Sequence, residues 1–565
     1  MTRFRHGLIL LAIAAGAISP SRAQTSVLKT TDRKGASIDI ASPFEHAPAY
    51  GFTPLQIKLE NPGLATAKWS INQSTYGSSG FHGEFTLECP SQETRALTVM
   101  VPVGDATVDM YSYSQGCALL ITGEGVRESR GFGNNYQSKD SNVLIGVRSN
   151  LAPKVPNPVN FDTSMAPVDW RAYQGYAGVV ISDEEWHGLA PGARLALLTW
   201  VKSGGALAVV GQDVPPGRDG FGLPAVLPGQ DPIACGLGNL YLIAKKEFQG
   251  MGYVLTGQHA DAFRRRDSSA SASTDAWQNR APALFRSANT PLVNGLMLLV
   301  VVAFAVVIGP INLFLIAPSK RRHRLFFSVP IISASAGALL LLGVVIGDGF
   351  GGKGTRHVLV ENQPGDGGNN NHVIQYQTSR CGVLFSTGFT SKGAVFIEQL
   401  AAPGRSSRGE YSSGSYGLKI NETELVASGP WFSSRTSQHY RMAAVTPTRG
   451  RIEASGDGEA TKLTSSFDFP ITSLLFSRDG RKWYQADGLR QGEPVGVKEV
   501  AEAVVARAVA DQVKEAPREI ADRADTLRRR PRHFIAFTAA PPAIDTHSAI
   551  RWTDHGIITG PLVIP

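Results

Sequence analysis

Two stretches of this chain leave little freedom in what it can become. From Leu292 to Ile316 and from Leu325 to Ile346 there is no Asp, Glu, Lys or Arg. Each exceeds the ~20 residues that an α-helix needs to cross about 30 Å of hydrocarbon, and a helix that is apolar on every side has no polar face to offer to water. In lipid the backbone must satisfy itself, which such a helix does. The chain is therefore expected to cross a membrane twice, as a helical hairpin.

The connection between the two stretches sets the direction. Ala317-Pro318-Ser319-Lys320-Arg321-Arg322-His323-Arg324 is short and strongly basic, and positive charge in short loops beside spans stays on the cytoplasmic side. Lys320, Arg321, Arg322 and Arg324 are thus the topology-determining residues. The N-terminus agrees: Arg3 and Arg5 precede an apolar run from Leu8 to Ile18, and Ser21-Arg22-Ala23 supplies small residues for cleavage, the pattern of a secretory signal over residues 1–23. Both arguments place the regions before and after the hairpin outside a bacterial inner membrane, in the periplasm. Arg264-Arg265-Arg266 stands farther from the spans than the ~15–20 residues over which the rule acts. Inside the first span, Gly309-Pro310 is expected to loosen the helix, and Asn312 to bond to the second helix or to a partner. Without an ionisable side chain in either span, an ion or proton pathway finds no support.

Of the 565 residues only 18% are charged, while Gly (60) and Pro (34) are abundant, which favours short strands and turns over long helices. We expect a multidomain α/β plus β chain. An N-terminal β-sandwich over 24–126 follows from alternating runs such as Leu55–Leu59 and Leu97–Val101. An α/β domain over 127–290 follows from the apolar runs Val143–Val147, Tyr176–Ile181 and Ala206–Val210. The hairpin occupies 291–347, and a C-terminal β-rich domain with one or two helices occupies 348–565. In the α/β region the helical stretch expected over Pro191–Gly205 places Leu195, Leu198 and Val201 on one face, with Gly204 as its left-handed stop. After the hairpin, strands are expected at Val358–Glu361, His372–Gln377, Ala394–Leu400, Ser473–Phe476 and His533–Thr538. A helix near 497–515 would carry Val497, Val500, Val504, Ala508 and Val513 on its apolar side.

The net charge of +8 is dispersed except at Arg264–Arg266, Lys320–Arg324 and Arg528–Arg532, with no interleaved aromatics, so nucleic acid is not the expected partner. In an oxidising compartment, Cys89 and Cys117 are the plausible disulfide pair because both fall in the same β-rich region. Cys235 and Cys381 stand in separate regions.

Three segments resemble a known family: Asp169-Trp170-Arg171-Ala172-Tyr173-Gln174-Gly175-Tyr176-Ala177-Gly178-Val179-Val180-Ile181, then Trp200-Val201-Lys202-Ser203-Gly204-Gly205 and the strand Ala206–Gly211. They are similar to bacterial membrane proteins carrying an extracytoplasmic domain like class I glutamine amidotransferases, and Gly309-Pro310-Ile311-Asn312 with its basic loop looks like that family's hairpin. The resemblance runs from about Val143 to Ile346 and implies a flavodoxin-like fold. Amidotransferase activity requires a cysteine thiolate at a tight strand-to-helix turn beside a histidine. Gly211-Gln212-Asp213 follows the strand instead, and Cys235 has no such elbow, so the activity does not carry over.

The best remaining candidate site is Ser182-Asp183-Glu184-Glu185-Trp186-His187, just past a strand, where open α/β sheets build pockets. Ser182, Asp183 and His187 are its catalytic candidates. No metal-binding, cofactor or phosphate-loop motif occurs, so neither a cofactor nor a metal ion is expected. The leading expectation is a non-catalytic envelope scaffold or binding module with membrane or envelope protein partners, held to the lipid bilayer by two helices. An envelope hydrolase or amidase using Ser182, Asp183 and His187, or an accessory subunit of a transport complex, are the alternatives.

Overall fold

A computed structural model describes residues 25–48, 51–75, 81–103, 116–133, 143–147, 158–212, 221, 233–245, 291–365, 368–400, 416–421, 423–434 and 436–564. The signal segment 1–23 and Arg264–Arg266 lie outside the described residues. The molecule is mostly β, in several sheets, with two long apolar helices.

Strands β1 (Thr25–Thr31), β2 (Ser37–Ser42), β3 (Gly51–Asn61), β4 (Ala67–Thr75), β5 (Phe81–Cys89), β6 (Glu93–Val103), β7 (Gly116–Gly123) and β8 (Val126–Gly133) open the chain. Antiparallel β1-β2-β3-β6 forms one sheet, while β5-β4-β7-β8 belongs to a second. Alternate residues point to opposite faces of a strand, and Ile38, Ile40, Leu55, Ile57 and Leu59 from the first sheet meet Trp69, Ile71, Leu119 and Ile121 from the second in one core.

The expected disulfide is not there. Cys89 stands opposite Ala67 and Cys117 opposite Thr75, so the two flank opposite ends of β4, far beyond the ~7 Å that a bridge tolerates. All four cysteines are free and buried. Burial pushes the Cys117 thiol up to about 12.

A mainly parallel sheet follows, built from β9 (Val143–Gly146), β10 (Pro158–Phe161), β11 (Gly178–Ser182), β12 (Ala206–Gly211), β13 (Ile233–Cys235) and β14 (Gly238–Ala244). Its order is β10-β9-β11-β12-β14-β13, with only β13 antiparallel. Helices α1 (Asp183–Gly188) and α2 (Pro191–Lys202) lie between β11 and β12. Gly204 does end α2 at φ +110°. The buried face of α2, however, is Ala193, Ala196, Leu197, Trp200 and Val201, and Leu195 is 60% exposed. Trp200 packs on Tyr173, with ring centroids 5.9 Å apart, and this large aromatic fixes the rotation of the helix.

The hairpin comprises α3 (Pro291–Val306), a π-helical stretch Val307–Ile316, a turn of 3-10 helix at Ser319–Arg324, and α4 (Leu325–Asp348). Pro310 lies within the π segment. It lacks an N–H and clashes with the preceding turn, so the helix widens there, and Ala317 N donates to Asn312 O at 2.8 Å. Asn312 is buried, and Ser328 Oγ donates to its Oδ1 at 2.7 Å, the expected bond to the second helix. Both apolar windows, Leu298–Ile316 and Arg322–Gly343, are only 6% buried. Helices of that length with outward Leu, Val and Phe are suited to lipid.

After the hairpin come β15 (Gly352–Gly365), β16 (Gly368–Cys381), β17 (Phe389–Lys392), β18 (Val395–Gln399), β19 (Tyr416–Ile420), β20 (Glu424–Ser428) and β21 (Ser437–Thr448). They are followed by β22 (Ile452–Ser455), β23 (Lys462–Ser465), β24 (Ile471–Ser477), β25 (Trp483–Leu489), β26 (Pro494–Gly496) and β27 (Lys498–Val500). Helices α5 (Glu502–Val513) and α6 (Arg518–Arg528) precede β28 (His533–Thr538) and β29 (Ile550–Pro561). The nine-stranded sheet β18-β21-β16-β15-β29-β28-β24-β25-β27 is the spine of this region. Helix α5 buries Val505 and Val509, while Val504 is 48% exposed. Val500 lies in β27, and Val497, Val500, Ala508 and Val513 of the expected apolar side pack partly buried against the core, so Val504 alone of the five faces away from it.

One sheet crosses the hairpin in sequence. β17, β20 and β19 continue the second N-terminal sheet, with Tyr416 and Gly417 of β19 paired in parallel to Phe81 and His82 of β5. Phe81, Tyr416, Trp431 and Phe389 form an aromatic cluster around this seam.

Candidate functional site

The chain reverses its direction across the parallel sheet between β9 and β11, and in open α/β sheets the crevice outside the carboxyl ends at such a point is where ligands bind. Gly146 ends β9 and Ser182 ends β11. Ser182 is the N-cap of α1: its Oγ accepts from Glu185 N at 3.2 Å, and its own N donates back to Glu185 Oε2 at 2.9 Å. This reciprocal capping box satisfies two donors that a helix start leaves orphaned. The Ser182 hydroxyl also donates to Glu185 Oε2, at 3.0 Å.

Glu185 is buried and reaches over the end of β9, where a Cβ added to Gly146 would stand 2.3 Å from Glu185 Oε2. The glycine makes room for the carboxylate. Trp186 turns the other way and stacks on Phe221, centroids 4.7 Å apart. His187 Nδ1 lies 2.9 Å from the Asp183 carbonyl and 3.3 Å from Asp183 Oδ1, on an exposed ring. Of the three residues expected to act together, Asp183 and His187 meet on the outside of the helix, and Ser182 instead faces Glu185. A serine whose hydroxyl is committed to a carboxylate within its own helix cap lacks the histidine base that activates such a nucleophile.

Cys235 sits in the short antiparallel strand β13, and burial pushes its thiol up to about 11. A nucleophilic cysteine needs the opposite shift.

A second cluster was invisible in the sequence. Glu519, in the first turn of α6, accepts from Arg441 Nε at 2.9 Å and Arg441 Nη2 at 3.1 Å, from Arg523 Nη2 at 2.9 Å, and from the Tyr376 hydroxyl. Burial alone would raise its carboxyl, but Arg441 and Arg523 outweigh that and hold it far below the ordinary value. Arg523 also donates to the Leu237 carbonyl and packs against Gly204, tying α6 to the parallel sheet. Nearby, Ser203 Oγ and His372 Nδ1 are 3.0 Å apart across the same seam; burial, then the Lys202 charge, lowers His372 to about 3. These groups are enclosed and mutually satisfied, which makes them a joint between regions. Among the described residues, no group of three His, Cys, Asp or Glu side chains is placed to hold a metal ion.

No known family model matches the chain, and no curated protein matches it. Among solved structures, a calcium-binding mutant of Bacteroides uniformis beta-glucuronidase 2 is similar at 13% identity and a TM-score of 0.14, over 33% of this chain and 24% of that one. A cycloisomaltooligosaccharide glucanotransferase of Paenibacillus sp., complexed with cycloisomaltoheptaose, is similar at 7% identity and a TM-score of 0.18, over 74% of this chain and 70% of that one. This chain therefore spans 24% of the length of the glucuronidase. At such scores neither likeness carries an argument.

Proposed function

We propose that this chain is a membrane-anchored, non-catalytic envelope scaffold or binding module, with both large regions on the outer face of a bacterial cytoplasmic membrane. The pairing of β5 with β19 carries the reading. Strands that share a sheet occupy one compartment, so a chain entering and leaving the bilayer between them must cross an even number of times, as the two apolar helices do. The hairpin then serves as an anchor under one continuous body, and the basic turn at Lys320–Arg324 takes the cytoplasmic side.

The parallel order β10-β9-β11-β12-β14 corresponds to the 2-1-3-4-5 arrangement of flavodoxin-like domains, which supports the resemblance to amidotransferase-like membrane proteins. The site favours a degenerate member: the switch-point crevice carries the chain's own Glu185, and the described cysteines are buried. The capping role of Ser182 weighs against a hydrolase.

Two measurements test this. In intact cells, a membrane-impermeant maleimide should label Cys introduced at Leu64 and Lys353, and should label His323→Cys only after permeabilisation; the reverse pattern overturns the topology. A chromosomal Asp183→Asn/His187→Ala replacement should behave as wild type in any assay in which deletion of the whole gene has a phenotype. Its failure at unchanged protein level overturns the non-catalytic reading.

A further inference from the structure

Beyond Asp348, the last residue of α4, the chain is fastened at once to a loop from far along the sequence. Gly382 N donates to Gly351 O at 2.7 Å, Val383 N to Gly349 O at 3.0 Å, and Gly351 N to Val383 O at 3.0 Å. This clamp sets Phe350 beside Phe385 with their rings stacked, centroids 5.9 Å apart and planes at 13°. Yet the two are 64% and 93% exposed. The loop apex is held rather than free, since His547 Nε2 meets the Ser386 carbonyl at 2.8 Å and Phe432 N donates to Thr387 O at 2.9 Å. A fixed pair of phenylalanines turned into water loses the burial that such rings ordinarily gain.

A second, independent observation concerns charge. Lys353 on β15 is in register with Arg380 on β16 and with Arg551 on β29. Directly paired residues on neighbouring strands project from the same face, and like charges there repel. Three cations therefore stand in a row across the end of the sheet that emerges from α4, with Lys353 and Arg551 exposed. Asp554, the acidic residue nearest along β29, is taken up bidentately by Arg356 at 2.7 and 2.8 Å.

We propose that this end of the nine-stranded sheet is a lipid-docking surface. Phe350 and Phe385 enter the interface of the bilayer that α3 and α4 cross, and the Arg380–Lys353–Arg551 row binds the phosphates of anionic phospholipid headgroups. The inference rests on the reading of the two helices as spans. Continuity identifies the occupant: Phe350 follows the helix end almost directly, and Lys353 stands within ~17 Å of it at about 3.3 Å per extended residue. Long basic side chains extend their charge toward headgroups while rings occupy the layer beneath.

The test uses the full chain in lipid nanodiscs. A nitroxide is placed at Ser386→Cys, which leaves both rings in place, at Val302→Cys inside the first helix, and at Leu64→Cys as an aqueous reference. The label at 386 should resemble the one at 302, with collisions with oxygen exceeding those with a water-soluble nickel complex. Spin-labelled phosphatidylglycerol should associate with the protein in preference to phosphatidylcholine, and Lys353→Gln/Arg551→Gln should reduce that preference by roughly fivefold per charge removed. A label at 386 that behaves like the one at 64, while 302 stays in lipid, overturns this inference and leaves the spans intact. A label at 302 that is open to water overturns the spanning reading and the inference with it. A phosphatidylglycerol preference unchanged in the double variant overturns the headgroup half.

Discussion

Glu185 beside the parallel sheet and Glu519 against the nine-stranded sheet are both carboxylates on the first turn of a helix, and both are buried. Glu185 bonds to Ser182, three residues away. Glu519 bonds to Arg441 and Tyr376, from 78 and 143 residues away. The first contact closes a helix end and the second joins separate parts of the fold. Burial is similar, so the difference in what each carboxylate holds together should appear in what its removal costs.

The largest effect is expected at Glu519. Replacing it with Ala leaves the Arg441 guanidinium enclosed without its main partner, and breaking a buried pair in this way costs about 3–5 kcal/mol. Glu185→Ala removes a helix cap together with the short-range hydrogen bonds of its carboxylate to Ser182, about 1–2 kcal/mol. Denaturant unfolding of the detergent-solubilised chain compares the two, and equal losses would break the distinction. Acid sharpens it. The carboxyl of Glu519 is held below its ordinary 4.5 in the fold, so its contribution is complete above that pH and is lost as pH falls further.

The two contacts also differ in how far they could be read from the sequence. Ser-x-x-Glu after an apolar run is a capping box, and its motif lies within four consecutive residues. The expected strands at Leu55–Leu59, Val358–Glu361 and His533–Thr538 are real for a similar reason, because period-two alternation or a short apolar run is a local signal. The two long apolar helices were legible because length and unbroken apolarity are carried by every residue of such a stretch. What could not be read depends on partners distant in sequence. Leu195 and Val504 were assigned to buried faces by spacing, but Trp200 and the sheet beneath α5 turn each helix to bury neighbouring residues instead. The bridge between Cys89 and Cys117 failed because shared region says nothing about which end of β4 each flanks. The β5–β19 seam, the Glu519 cluster and the Arg380–Lys353–Arg551 row exist only after strands pair, and no single segment encodes them.

Gly146→Ala probes the crevice side of the comparison. The added methyl would overlap Glu185 Oε2, 2.3 Å away, and such overpacking costs about 1–3 kcal/mol. Glu185→Ala should relieve most of it, so the double variant should be more stable than the sum of the single losses predicts. Strict additivity in thermal unfolding would mean that Glu185 does not occupy the space above Gly146.

Three histidines on the other side of the comparison are buried and neutral. Burial, then His555, brings His357 to about 3; burial, then Lys202, brings His372 to about 3; burial brings His439 to about 4. Their ordinary value is 6.5. The unfolded chain therefore binds protons that the fold refuses, and stability falls as pH drops below 6.5 until each folded value is passed. Each histidine adds up to ~1.4 kcal/mol per pH unit to that slope. His372→Gln should flatten the decline between pH 6 and 5 by about one such share, in melts at fixed pH. Because this window opens well above that of Glu519, the two acid sensitivities separate, and a stability flat from pH 7 to 5 would refute the histidine term.

The smallest effect is expected in the apolar hairpin, the proposed membrane anchor. Asn312 and Ser328 make a partly buried side-chain contact 16 residues apart, intermediate between the cap of Glu185 and the long reach of Glu519. Distance along the chain alone would rank its removal between theirs. The reference state argues otherwise, since helices separated within a bilayer still find polar partners, and bonds of this kind average only about 0.6 kcal/mol. Asn312→Leu also leaves the Ser328 hydroxyl free to bond within its own helix. The variant should thus cost less than Glu185→Ala when unfolding of the hairpin is followed in bicelles. A loss approaching that of Glu519→Ala would mean that solvent and local geometry outweigh chain separation in setting what a buried polar contact is worth.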